Sequence, residues 1–166
     1  YKGLKVIQNK EGFCFGIDSV LLSDYAKKIK NNVKVIDIGT GTGIISLLLC
    51  KKTNLSKIIG IEIQEDVAEM AIRSIKLNNL EDKFEIINTN IKNVFNYLEP
   101  YKYDVVVTNP PYKKNDTGVK SIEKKQLISR HEVECTLEDI IKNGSKLLKD
   151  LGEFYMVHRA ERIVDI

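Results

Sequence analysis

The chain has 166 residues, of which 43% are hydrophobic and 30% charged. These proportions belong to an ordinary globular protein and exclude a disordered, collagenous or fibrous one. The length suits one domain over residues 1–166, and a net charge of +3 excludes a chain that is uniformly basic or acidic.

The elements alternate along the chain. Residues 18–29 read as a helix with Val20, Leu21, Tyr25 and Ile29 inward. A β-branched run at 33–38 is the first strand, followed by a helix over 43–52, an isoleucine-rich strand over 57–63 and a helix over 65–78 with Val67, Ala71 and Ile75 on one face. Strands follow at 84–90 and 103–108. Thr136 is placed to cap a helix carrying Leu137, Ile140, Ile141, Leu147 and Leu148, with Glu138 and Asp139 in its first turn. Residues 153–157 supply a fifth strand. Nearly continuous Val/Ile runs mean strands covered on both faces, so the pattern predicts an α/β fold with a parallel, doubly wound sheet. Residues 1–30 form an amino-terminal segment and helix ahead of a core over 31–166. The stretch between the fourth strand and Thr136 has no clear period, and loops of that length are usually functional or mobile.

No segment is apolar enough to span a bilayer. The longest run, 44–50, is short and broken by Ser46. Tyr1-Lys2-Gly3 opens no secretion leader. Cys14, Cys50 and Cys135 lie far apart, which predicts free thiols packed as small hydrophobes, no metal site and a cytoplasmic protein.

Asp37-Ile38-Gly39-Thr40-Gly41-Thr42-Gly43 joins the first strand to the next helix. Ligands of open parallel sheets bind beyond the carboxyl ends of strands, where glycines let backbone approach them, so a nucleotide cofactor is expected here. Ile44 stands where a dinucleotide fingerprint has its third glycine. Asp37 would repel a diphosphate but attract the ammonium and sulfonium of S-adenosylmethionine. Glu62, at the end of the second strand, is placed to grip ribose hydroxyls. The pattern D-x-G-x-G-x-G with that acid resembles motifs I and II of class I methyltransferases. By this resemblance Asp37, Gly39, Gly41 and Glu62 hold the cofactor, and Asn90 meets its adenine between Ile63 and Ile91. Taken alone, Asn88 or Asn90 is equally an Asx turn at a strand end.

Asn109-Pro110-Pro111-Tyr112 follows the fourth strand directly. As bare punctuation it is a turn. It also resembles motif IV of methyltransferases that alkylate amines conjugated into a ring or amide. Such a lone pair is delocalised and must be directed. The Asn109 side-chain oxygen and the Pro110 carbonyl can accept both amine hydrogens, Pro111 stiffens the turn, and Tyr112 would stack on the target ring.

The same tetrapeptide serves enzymes that modify a glutamine of release factors and others that modify guanine or adenine in ribosomal RNA. Gln8 with residues 12–22 (Gly12-Phe13-Cys14-Phe15-Gly16-Ile17-Asp18-Ser19-Val20-Leu21-Leu22), Arg130-His131-Glu132, the run from Thr136 to Ile141, and Val157-His158-Arg159-Ala160-Glu161-Arg162 resemble the tRNA1(Val) adenine-N(6)-methyltransferase family. The resemblance implies methylation of an adenosine amine in tRNA, at position 37 of a valine tRNA, with Asp18 near the methionine end of the cofactor. Asp18 is equally the N-cap of the first helix, and Phe13 and Phe15 are equally core aromatics. His131 reads as a structural hydrogen-bonding group rather than a base, and His158-Arg159 as either a solvated strand end or a phosphate contact.

Between residues 113 and 130, Lys113, Lys114, Lys120, Lys124, Lys125 and Arg130 face only Asp116 and Glu123. That excess of +4 leaves −1 for the rest, and it suits a polyanion such as tRNA beside the catalytic turn. The family's strand order is 3-2-1-4-5-7-6. This chain stops within what would be the helix after the fifth strand, so the resemblance implies a sheet cut before its last two strands. Its fifth strand would then offer an open edge to a second chain.

Overall fold

In the computed structural model, which describes residues 3–10, 14–110 and 135–160, a five-stranded parallel sheet is covered by helices on both faces. The elements are α1 (Ile17–Ala26), β1 (Lys34–Ile38), α2 (Ile44–Lys52), β2 (Lys57–Glu62), α3 (Glu65–Leu77), β3 (Phe84–Asn88), a 3-10 turn (Ile91–Asn96), β4 (Tyr103–Thr108), α4 (Leu137–Leu147) and β5 (Leu148–Met156). The strand order is β3-β2-β1-β4-β5, with the order reversing at β1. The carboxyl ends of β1 and β4 are therefore neighbours, with Ile38 opposite Thr108. A crevice at that switch is where such sheets take ligands.

Alternation along the strands divides the core. Val35, Val105 and Val107 pack with Leu47 and Leu49 of α2 and Leu22 and Ala26 of α1 on one face. Ile36, Ile38, Ile61 and Val106 meet Ile91 and Val94 of the 3-10 turn and Ile140 and Leu147 of α4 on the other. Burial on both faces explains why these strands read as unbroken apolar runs.

Thr136 caps α4 as expected. Its hydroxyl accepts from the Asp139 N–H at 3.1 Å, and its own N–H donates to Asp139 Oδ2 at 3.0 Å. The regular ladder between β4 and β5 begins at Val105 opposite Glu153, where the fifth strand was expected. Ahead of it, the strand bulges through Leu151, whose φ is 62° and whose side chain is fully exposed. Leu148, expected in the helix, instead opens β5. In α3, Ala71 and Ile75 are buried as predicted, while Val67 is half-buried and Ala68 and Ser74 complete the inward face.

The first helix corrects the expectation. It ends at Ala26, and it buries Ser19, Leu22, Ser23 and Ala26. Leu21 and Tyr25 lie outward, at 55% and 67% exposure, Val20 is half-buried, and only Ile29, beyond the helix, is buried as predicted. A stripe of small side chains lets α1 approach α2 closely. Lys52 of α2, 2% exposed at its side chain, donates to Ser23 Oγ at 2.7 Å and pairs with Asp24 at 3.0 Å. Turning this face inward keeps the buried ammonium paired, which would otherwise cost several kcal/mol, and it also buries Leu22 and Ala26 in the core. Tyr25 packs edge-on against Tyr155 of β5, with ring centroids 5.9 Å apart.

Ahead of α1, the chain is tied to α3. Asn78 bonds the backbone of Lys5 through both ends of its amide, and Ser74 Oγ accepts from the Ile7 N–H at 2.9 Å. Cys50 and Cys135 are partly buried free thiols, but Cys14 is exposed rather than packed. Burial raises the thiols of Cys50 and Cys135 to about 11, so neither is a thiolate near neutrality. Among the described residues no helix is long and apolar enough to cross a membrane.

Candidate active site

The turn after β1 is shaped by glycines. Gly39, Gly41 and Gly43 have φ of 68°, 58° and 84°, the left-handed region that other residues enter only with strain. At Gly43, the N-cap of α2, a Cβ would also stand 3.1 Å from the Phe84 ring. The turn folds back over β2, with the N–H groups of Gly39 and Thr40 both donating to the Ile61 carbonyl at 2.9 and 3.0 Å.

Asp37 lies beneath this turn with no exposure at all. Its Oδ2 accepts from the hydroxyls of Thr40 and Ser46, each at 2.7 Å, while Oδ1 is buried without a hydrogen-bond partner. Burial is the largest influence on its acidity and raises the pKa to about 6. The two hydroxyls oppose the rise and the neighbouring Glu62 carboxylate adds to it. An unpartnered, buried carboxylate oxygen at a strand end suits a cationic ligand.

Glu62, 5% exposed, spans the crevice mouth. Its Oε2 accepts from the Gly41 N–H and its Oε1 from the Gln64 N–H, both at 2.9 Å. Each oxygen keeps a second lone pair for a hydroxyl donor. Asn88 Nδ2 donates to the Glu62 carbonyl at 2.8 Å. Asn90 caps the 3-10 turn, its Oδ1 accepting from the Lys92 N–H at 2.9 Å, which is the Asx geometry weighed for it. Ile91 is buried in the core beneath it, and Ile63 is half-buried.

At the end of β4, Thr108 is fully buried and donates its hydroxyl to the Ile38 carbonyl at 2.9 Å, which locks the tips of β4 and β1 together. Asn109 and Pro110 follow, half-buried and buried respectively. Asn109 Nδ2 donates to Ser19 Oγ of α1 at 3.1 Å. Asp37, Gly39, Gly41, Glu62, Asn109 and Pro110 therefore converge on the carboxyl ends of β1, β2 and β4, with α1 closing one side.

Asp18 is not the N-cap of α1, since Gly16 holds that place and Asp18 lies in the first turn, half-buried. Phe15 packs partly buried against the core, while Phe13 lies outside the described residues. Pro111, Tyr112, Lys113, Lys114, Lys120, Lys124, Lys125, Arg130 and His131 also lie outside them. His158 Nδ1 accepts from the Arg159 N–H at 2.9 Å. Among the described residues no cluster of three or more His, Cys, Asp or Glu could hold a metal.

Four residues that build this site were not singled out from the sequence: Thr40, Ser46, Ser19 and Thr108. Ser46 left a signal, since it is the one polar residue interrupting an apolar helix, and Ser19 is a polar residue on a face that packs inward.

Residues 16–164 match the family model of the methyltransferase small domain. The chain is 30% identical over 152 residues to a tRNA1(Val) (adenine(37)-N6)-methyltransferase of Flavobacterium johnsoniae, covering 92% of this chain and 63% of that protein. It is 30% identical over 158 residues to the protein of the same name in Bacteroides thetaiotaomicron, covering 95% and 64%. The chain thus spans a little under two thirds of the length of these relatives. In fold, it is similar to a solved structure of a predicted O-methyltransferase from Agrobacterium tumefaciens, with a TM-score of 0.65 at 18% identity over 90% of this chain and 64% of that one.

Proposed function

Since the chain belongs to the methyltransferase small domain family, we propose that it transfers a methyl group from S-adenosylmethionine to the exocyclic amine of an adenosine in tRNA, at position 37 of a valine tRNA. The observation that carries this reading is the placement of Asn109 beside the Asp37–Glu62 crevice, an amine-directing group within the same strand-end cleft as a cation-attracting one. The names of the relatives favour tRNA over a release-factor glutamine or ribosomal RNA.

The residues present fit the cofactor. Asp37 Oδ1, buried and unpartnered, would oppose its positive charge. The glycines of the turn leave its backbone open to approach, and Glu62 would accept from ribose hydroxyls through its remaining lone pairs. Asn90, Ile63 and Ile91 would border the adenine, and Asp18 would lie toward the methionine end. When bound, the cofactor supplies a methyl group made electrophilic by a cationic sulfur.

The task of the chain is alignment. Asn109 Oδ1 and the Pro110 carbonyl would accept the two amine hydrogens, which turns the nitrogen lone pair toward the methyl carbon. As the carbon–nitrogen bond forms, positive charge grows on the nitrogen and is stabilised by these same oxygens, and the surplus proton leaves to water. No strong base is needed, because the leaving group is neutral. Pro111 and Tyr112 would hold and stack the base, extruded most cheaply from an exposed loop. Lys113, Lys114, Lys120, Lys124, Lys125 and Arg130 would track phosphates and make binding fall with salt. The setting is the cytoplasm, where tRNA is modified.

Incubation with tritiated cofactor and either bulk tRNA or release factor tests the reading. Label in tRNA, recovered as N(6)-methyladenosine, is expected. Label only in the protein overturns it, and cofactor binding without label in either makes the chain a binding module.

A further inference from the structure

The segment ahead of α1 carries a polar group that the mechanism does not use. Residues 4–8 climb α3 from its end toward its start, since Asn78 bonds Lys5 and Ser74 bonds Ile7. Leu4 and Val6 pack inward against the core. Gln8 is next in that alternation, an amide where the segment otherwise presents apolar side chains. It is half-buried, and its Nε2 is closed off from solvent with no hydrogen-bond partner among the described residues. A buried donor left unpaired lowers stability, so such a group needs a reason.

Its place in the fold supplies one. α3 begins at the crevice mouth, where the Gln64 N–H bonds Glu62. Toward that mouth from Ser74, the next buried residue of α3 is Ala71, whose Cβ lies 3.6 Å from the point where a Cβ on Gly43 would stand. Gln8 follows Ile7 up this helix, so the chain carries it toward the α2 end of the glycine turn. The cofactor proposed for the crevice has few polar groups to match. Asp37 opposes its cationic groups, Glu62 receives its ribose hydroxyls and Asn90 meets its adenine. The carboxylate of its methionine end is left without a donor. A glutamine has three side-chain torsions, so the amide can swing to an entering carboxylate while the backbone stays bonded to α3.

We infer that Gln8 is a further cofactor-binding residue, donating its amide N–H to the carboxylate of the methionine end. This rests on the reading of the crevice as an S-adenosylmethionine site. The free protein tolerates an unpaired donor because the group is satisfied only on binding.

Calorimetry with S-adenosylhomocysteine, which keeps the carboxylate, and 5′-methylthioadenosine, which lacks the amino-acid end, tests the contact. Gln8→Met keeps the length of the side chain and removes the donor. Affinity for S-adenosylhomocysteine should fall about 10- to 150-fold, the weight of one hydrogen bond to a charged group, while that for 5′-methylthioadenosine stays within about twofold. Gln8→Glu should bind S-adenosylhomocysteine more weakly still, since like charges then meet. The melting temperature of the free Gln8→Met protein should hold or rise, because an unpaired buried donor is gone. Equal losses for the two ligands, no loss for either, or a lower melting temperature would mean that Gln8 merely packs against α3, and each overturns the inference. Undiminished binding by Gln8→Glu would make the amide oxygen the working end and overturns it too. If the unsubstituted protein binds neither ligand, the cofactor reading itself falls and takes this inference with it.

Discussion

The Gly41 N–H donates to Glu62 Oε2 at 2.9 Å, which ties the glycine turn after β1 to the tip of β2. The other oxygen of the same carboxylate receives the Gln64 N–H at 2.9 Å. Glu62 thus shapes its own crevice as well as facing it. Glu62→Gln keeps size but turns one oxygen into a donor, so one of the two N–H groups loses its acceptor. Cofactor affinity should fall by about 10- to 150-fold, a charged hydrogen bond being worth about 1.5–3 kcal/mol. Calorimetry with S-adenosylmethionine measures it, and undiminished affinity would show that the turn keeps its shape without Glu62.

Asp37 is raised to about 6 chiefly by burial. Its unfolded value is lower, so the folded protein holds this proton more tightly. The group therefore favours folding most at low pH, and that contribution is lost as pH rises through about 6. Binding runs the other way, since the charged form attracts a cation. Cofactor affinity of the free protein should drop as pH falls from 7 to 5. Asp37→Asn should remove this dependence, weaken binding and raise the melting temperature at pH 7.5. A titration in which the Asn variant keeps the same pH profile would assign the effect to another group.

Gly60 lies opposite Asp37 in the β1–β2 register. A Cβ there would stand 2.7 Å from Thr40 Cγ2 and 2.8 Å from Ile86 Cδ1. Thr40 belongs to the glycine turn and donates to Asp37, so Gly60→Ala should cost about 1–3 kcal/mol of stability and also lower cofactor affinity. Denaturant unfolding and calorimetry separate the two effects. Lost stability with full affinity would mean that Ile86 alone gives way.

Asn109→Ala removes one of the two proposed amine acceptors without touching Asp37 or Glu62. Methyl transfer should fall by 100-fold or more, on the order seen when a transition-state hydrogen bond is removed, while cofactor affinity stays within about twofold. Single-turnover kinetics beside calorimetry measure both quantities.

Lys52→Ala withdraws the buried ammonium that joins α2 to Ser23 and Asp24 of α1. A loss of about 2 kcal/mol, or roughly 4–8 °C in melting temperature for a domain of this size, is expected. Because Ser19 of the same helix bonds Asn109, methyl transfer should weaken along with it. An unchanged melting point would place the anchoring of α1 elsewhere.

The strands and the glycine turn were legible in the amino-acid sequence, because backbone demands are local, whereas the order of the strands followed only from the family resemblance. β-Branched runs select extended chain, Thr136 with Asp139 caps a helix, and only glycines pass easily through the positive φ angles of the turn at Gly39, Gly41 and Gly43. The acids Asp37 and Glu62 could be placed too, since position at a strand end follows from counting along the strand. What the tertiary structure alone decided was contact between distant segments. The 3.6-residue period says that α1 has faces but not which of them meets the core; the face that does carries Ser19, Leu22, Ser23 and Ala26, with Lys52 of α2 bonded to Ser23. Likewise Ser19 and Asn109 lie 90 residues apart, and no local preference of either records that the amide of one meets the hydroxyl of the other. That pairing exists only after the sheet has brought the tip of β4 beneath α1.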